Sequence, residues 1–172
     1  FTHPMRMDVP PFDNNDLRMA LKLSTPRQEF MDKVLFGYGV MGNDQPLGPQ
    51  FNSYDADLKP EYDLDKAKHH LKKAGLEGVK IDLSASNTSY GGAMDAAQLF
   101  QSHWGKIGVN LNIVREPQDG YWTNVWNVKP FCTCYWGPRP VEDMILSICY
   151  LSDSPWNDTL LKNARVDELV VA

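Results

Sequence analysis

Residues 93–113, AMDAAQLFQSHWGKIGVNLNI, change their apolar period in mid-stretch, and that change decides the fold class. Ala93, Ala97, Phe100, Trp104 and Ile107 recur at the three- and four-residue spacing that lines one face of a helix. A stripe of this kind belongs to a core. Gly108 closes the helix, after which Val109, Leu111 and Ile113 alternate with Asn110 and Asn112, the period of a strand with one buried face. Upstream, Val79 to Leu83 alternates in the same way, and a polar link from Ser84 to Gly92 leads into the helix. Downstream, Glu116-Pro117 opens a helix through Asp119, Tyr121, Trp122, Val125 and Trp126, which Pro130 ends before an apolar strand from Phe131 to Trp136. Strand, helix, strand, helix, strand is the order of an α/β layer with crossover connections, here a mixed sheet flanked by helices.

The first half of the chain reads as helices laid around that layer. Phe1 to Val9 has the pattern of a strand, and Pro10-Pro11-Phe12-Asp13 that of an extended turn. Asp16 starts a short helix with Leu17, Ala20 and Leu21 on one face. Thr25-Pro26-Arg27-Gln28 has the form of a capping box with proline at the first helical position, opening a helix that turns Phe30, Met31, Val34 and Leu35 inward and stops at Gly37. From Gly37 to Tyr62 the chain is rich in Gly, Pro, Asn and Asp. This is a long loop of the functional or wrapping sort. Asp63 then caps a helix with Leu64, Ala67, Leu71 and Ala74 inward and Gly75 at its end, while Lys66, Lys68, Lys72 and Lys73 make a solvated outer face.

Composition narrows the function. The 172 residues suit one domain, and 42% hydrophobic with 23% charged residues is the balance of a packed, water-exposed fold. A net charge of −5 argues against nucleic acid, whose phosphates call for a basic surface. No apolar run approaches the roughly 20 residues that cross a bilayer. No basic start with an apolar run is present, so any secretion signal is expected outside this stretch, and because the chain opens in mid-pattern at Phe1 and stops inside an apparent helix at Ala172, both ends are expected to be cut from something larger. Cys132, Cys134 and Cys149 lack the spacing of a zinc site, and His69-His70 are adjacent rather than a turn apart, so no metal or cofactor is expected. Buried free thiols are the expectation for the cysteines, with a bridge from Cys132 or Cys134 to Cys149 as the alternative in an oxidising compartment.

The ligand signal lies where the third strand ends. After Phe131-Cys-Thr-Cys-Tyr-Trp136 the backbone breaks at Gly137-Pro138 and presents Arg139. A guanidinium beside an indole offers a rigid fork of donors and a stacking plane, suited to a carboxylate, a phosphate or a sugar-like polar group. The alternative is that Arg139 pairs with Glu142 or Asp143 and shapes the loop.

Read together, these segments resemble a known family. Pro11-Phe12-Asp13 with Leu17-Arg18-Met19-Ala20-Leu21, then Thr25-Pro26-Arg27, Gly37-Tyr38-Gly39 with Pro46, Tyr62 to Lys68 with Leu71 and Ala74-Gly75, Ile107-Gly108-Val109, Trp156-Asn157 and Val166 to Leu169 follow one another as in the extracellular solute-binding proteins, family 5, of peptide- and opine-type ABC importers, in their C-terminal lobe region. The resemblance implies that residues 1–172 form a single lobe of a two-lobed, type II periplasmic-binding-protein-like fold, closing with a missing N-terminal lobe around a peptide, opine or oligosaccharide-like solute and delivering it to a membrane permease. It implies a periplasmic or lipid-anchored extracellular location, no cofactor and no catalytic step. It also implies a ligand contact built from Trp136, Gly137, Arg139 and Asp143; Tyr121 and Trp122, on the helix before that strand, are candidates to reach the same cleft, with core burial expected for at least one of them. In many peptide-binding members an acidic residue stands three positions after the strand's tryptophan and holds the peptide amino group; here that position is Arg139, which suits an anion instead. Two other readings are carried forward: a sensor or interaction domain of the same fold, and a hydrolase using Cys132 or Cys134 with His103.

Overall fold

The computed structural model describes all 172 residues. Seven helices and two strands follow in the order α1 (Asn15–Leu23), α2 (Arg27–Lys33), α3 (Leu64–Lys73), β1 (Lys80–Ala85), α4 (Ala93–Gly105), β2 (Asn110–Arg115), α5 (Tyr121–Asn124), α6 (Glu142–Tyr150) and α7 (Ala164–Val171). The change of period at 93–113 is where the crossover sits. β1 and β2 run parallel in register from Lys80 opposite Asn110 to Ala85 opposite Arg115, and α4 joins them and packs on both. Ala93, Ala96 and Ala97 let α4 approach the sheet closely, and Phe100 and Trp104 fill the space beyond them, all five buried. The large apolar cluster also takes in Leu17 and Leu21 of α1, Leu71 of α3, and Leu83 and Leu111 of the sheet.

The sheet is mixed. On the side of β1 away from β2, Ser84 N–H donates to Phe131 O and Thr133 N–H to Ser84 O, both at 3.0 Å, a parallel bridge. Thr2 and Cys134 then exchange two hydrogen bonds of 2.9 Å in the antiparallel sense. Phe1–Val9 and Phe131–Trp136 are therefore sheet lines held by isolated bridges, not the regular strands their patterns predict. Pro4 has no N–H to add to a ladder, and at Met7 the backbone N–H has turned away to Thr159 O at 2.8 Å.

Two helices differ from the sequence reading and one was not foreseen. The helix expected from Glu116 is a single turn, Tyr121–Asn124, because Gly120 at φ +75° starts it late, and Val125 to Val128 run on as turns. At α2, Thr25 makes no cap. Its hydroxyl donates back to Leu21 O at 2.7 Å, and Pro26 occupies the cap position. From Glu142 the chain forms α6, whose Ile145 and Cys149 bury against Leu47 and Phe51 of the long loop. That loop does wrap: the Asn43 side-chain amide donates to Asp55 O and Leu58 O at 3.2 and 3.1 Å and ties the loop back on itself. Asp63 caps α3 as its position predicts, accepting from the N–H groups of Asp65 and Lys66 at 2.9 Å. The four lysines of α3 face water, and His70 is engaged by Asp16 of α1 at 2.7 Å.

Candidate functional site

Beyond Cys134 the chain leaves the sheet, and its aromatic side chains meet those of two other segments. Trp126 follows α5, Tyr135 and Trp136 follow the bridge to Thr2, and Trp156 and Asp158 precede α7. The organising group is Asp158, only 7% exposed. Its Oδ2 accepts the indole N–H of Trp126 at 3.0 Å and of Trp136 at 3.3 Å. Burial raises the carboxyl above its usual range, with the two indole donors pulling the other way. Around this acceptor the rings pack edge to face: Trp126 and Trp156 at 5.9 Å and 88°, Trp126 and Trp136 at 6.0 Å and 73°. Trp122 extends the group by touching Trp126 at 6.2 Å and Tyr135 at 5.6 Å.

These rings wall a cavity of about 450 Å³ with Cys134 at one side and Gly137 and Arg139 at its margin. A larger hollow of about 680 Å³ shares Trp136, Gly137 and Arg139 and continues past Asp158 to the N-terminal segment, α1, α2 and the wrapping loop. Both volumes fall within the few hundred to roughly 1,000 Å³ that small-molecule sites occupy. Trp136 and Arg139 thus line both spaces.

The anticipated residues fall into three situations. Trp136, Gly137 and Arg139 come together. Arg139 Nη1 donates to Gly137 O at 3.0 Å, its Cζ lies 5.9 Å from the Trp136 ring centroid, and it forms no ion pair. Glu142, the alternative partner, instead accepts from the Ser53 hydroxyl at 3.0 Å. Asp143 stands exposed in the first turn of α6, outside the lining of either cavity. Tyr121 is buried in the interior, where its hydroxyl donates to Thr133 O at 2.7 Å. Its neighbour Trp122, 40% exposed, is the one that reaches the cavity.

Asp158, Trp126 and Trp156 are the members of this cluster that the sequence did not single out. Asn157 and Asp158 are of the residue types that cap helices, but Asn163 caps the last helix, its side chain accepting from the N–H groups of Arg165 and Val166. A signal was present, since four of the five tryptophans fall between 122 and 156. Indoles so concentrated need a place for their N–H groups, and the acidic residue beside the last of them supplies it.

The thiol chemistry needed by a hydrolase is not assembled. Cys132, Cys134 and Cys149 are free and buried, and desolvation raises all three, Cys134 and Cys149 to about 12. His103 is engaged by Tyr62 at 2.7 Å and Glu29 at 2.9 Å, and by neither thiol.

Residues 3–158 match the family described as "Bacterial extracellular solute-binding proteins, family 5 Middle". The chain belongs to this family. Similar proteins include Di/tripeptide-binding protein 1 of Pseudomonas aeruginosa, 36% identical over 109 residues, and Heme-binding protein A of Haemophilus influenzae, 33% identical over 112. Each alignment covers 60% of this chain and 20% of the relative, so the chain spans about a fifth of their length. Among solved structures, HbpA2 from Haemophilus parasuis superposes with a TM-score of 0.88 at 22% identity, over 98% of this chain and 35% of that one. The oligopeptide-binding protein AppA from Bacillus subtilis, in complex with a nonapeptide, gives 0.83 at 20% identity over 98% and 37%. These two likenesses establish the fold, a periplasmic-binding-protein fold of which the mixed sheet and its helices are one portion. Within this portion, the tryptophan-walled cavity is a concavity with ring faces and a guanidinium free of carboxylate partners at its edge.

Proposed function

We propose that this chain is the solute-capturing lobe of a receptor for an ABC-type importer. It takes up a peptide, an opine or an oligosaccharide-like solute between itself and a second lobe and passes it to a membrane permease. The periplasm, or the outer face of a cell to which the protein is anchored by lipid, is where such a receptor works. The family membership supports the receptor class, and one observation carries the site: Arg139, with no carboxylate paired to it, stands beside Trp136 at the meeting of two cavities. In this reading Trp136 and Arg139 contact the solute, Gly137 keeps the loop low enough for it to approach, and Asp143 joins only if lobe closure brings the start of α6 nearer. Closure is driven by binding the shut state better than the open one. No catalytic step is part of the proposal.

The test has two stages. A thermal-shift panel of di- and tripeptides, opines and oligosaccharides identifies a stabilising solute, and uptake of that solute is then measured in cells with and without the gene. Loss of uptake on deletion is expected. Binding with unchanged uptake removes the importer reading and leaves a sensor of the same fold.

A further inference from the structure

The walls of the tryptophan cavity are poorer in hydrogen-bond donors than their residue types suggest. The indole N–H groups of Trp126 and Trp136 both end on Asp158, and Cys134 Sγ donates to Tyr135 O at 3.5 Å. Uncommitted polar side-chain groups remain only on Trp122, Tyr135 and Trp156 and on the part of the Arg139 guanidinium beyond Nη1, which donates to Gly137 O. A solute dense in hydroxyls loses its water here with few partners in return, and each buried hydroxyl left unpaired weakens binding. A flat apolar ring pays no such penalty. The rings already present pack edge to face, at 88° and 73°, and a guest ring continues that packing, which adds to the gain from its burial.

Charge decides the rest. Aromatic cages often take cations, but the one charged group lining this cavity is itself a cation, Arg139, whose Cζ lies 5.9 Å from the Trp136 ring. A second cation meets repulsion there, whereas an anion meets an unpaired guanidinium with a fork of donors. The Asp158 carboxylate does not offset this for a guest, because it does not line the cavity and is occupied by two indoles.

We infer that the cavity is a subsite for an aromatic ring carrying an anionic group, the ring held among Trp126, Trp136 and Trp156 and the anion by Arg139. This rests on the receptor reading and narrows its solute from peptides, opines and sugars in general to aromatic acids, including peptides that end in an aromatic residue.

Saturation-transfer NMR on this chain tests it, since the method detects the weak binding expected of one side of a clamp. Four probes separate the requirements: N-acetylphenylalanine has ring and carboxylate, its amide has the ring alone, N-acetylalanine has the carboxylate alone, and glucuronate is a sugar acid. Transfer to the ring protons of N-acetylphenylalanine is expected, with the other three roughly tenfold weaker, the loss of one charge-assisted contact or one ring. Arg139→Ala should lower N-acetylphenylalanine to the level of its amide without changing the amide. Trp156→Ala should weaken both. Far-UV circular dichroism confirms that the two variants, both changed at solvent-reached positions, stay folded. Equal binding of glucuronate or N-acetylalanine overturns the aromatic requirement, and an Arg139→Ala protein that binds N-acetylphenylalanine unchanged overturns the anion anchor. Absence of N-acetylphenylalanine binding overturns the subsite altogether. None of these touches the receptor reading, which stands or falls on uptake.

Discussion

Asp158 accepts the indole N–H of Trp126 at 3.0 Å, joining the turn after α5 to the segment ahead of α7. Trp136, from a third segment, donates to the same oxygen. A buried carboxylate with two donors is stable only as a complete set, because either partner left alone is a desolvated polar group. The contact therefore sets the relative position of three pieces of chain that share no secondary structure, and the cavity wall is the result.

The first prediction concerns that carboxyl. Its folded pKa lies above the usual 3.8, chiefly because burial disfavours the charge. The folded state then holds the proton more tightly than the unfolded chain does. Its stabilising contribution is complete below 3.8 and is lost as pH rises through the folded pKa. Asp158→Asn, which keeps an acceptor but cannot ionise, should lack that loss. Urea unfolding from about pH 3 to pH 7 reads the difference. Parallel curves for the two proteins would show that Asp158 titrates normally.

Tyr121 is expected to matter for stability and not for solute. Its hydroxyl donates to Thr133 O at 2.7 Å between the sheet and α5, fully enclosed. Tyr121→Phe leaves that region one donor short and should cost about 1–2 kcal/mol in denaturant unfolding. N-acetylphenylalanine transfer should be unaltered. A variant with full stability and impaired binding would return Tyr121 to the cavity.

A pair of glycine substitutions separates strain from crowding. Gly92 precedes α4 at φ +86°, where an added Cβ would lie 2.7 Å from Val34 Cγ1, while Gly37 at φ +79° has open space around it. Gly37→Ala should cost about 1 kcal/mol from backbone strain alone, and Gly92→Ala distinctly more because Val34 must move. Equal losses by thermal or urea unfolding would mean that Val34 yields freely.

The thiols should be inert in the folded protein. All three are buried, and Cys134 and Cys149 are pushed up to about 12 by desolvation. Ellman's reagent near pH 8 should label none quickly and all three once urea unfolds the chain. Rapid native labelling of Cys132 or Cys134 would reopen the nucleophile reading.

What the amino-acid order determined by itself was everything governed by neighbours three or four residues apart. The α4 stripe of Ala93, Ala97, Phe100 and Trp104, the alternation of β2 and the Asp63 cap are local consequences of side-chain period and backbone donors, and the motif order sufficed for the family. The bridges that replace strands at Thr2 and Phe131 and the single turn of α5 depended on competition from distant partners, which period cannot register. Only the tertiary structure decided the cavity. Asp158 follows Asn157 like a helix cap, yet its burial beneath Trp126 and Trp136 arises from three segments converging in space, and Tyr121 and Trp122, adjacent in sequence, are sent to opposite environments by one helical turn. Local order sets which way a side chain points along its own element; what it meets there is set by parts of the chain that order alone does not bring near.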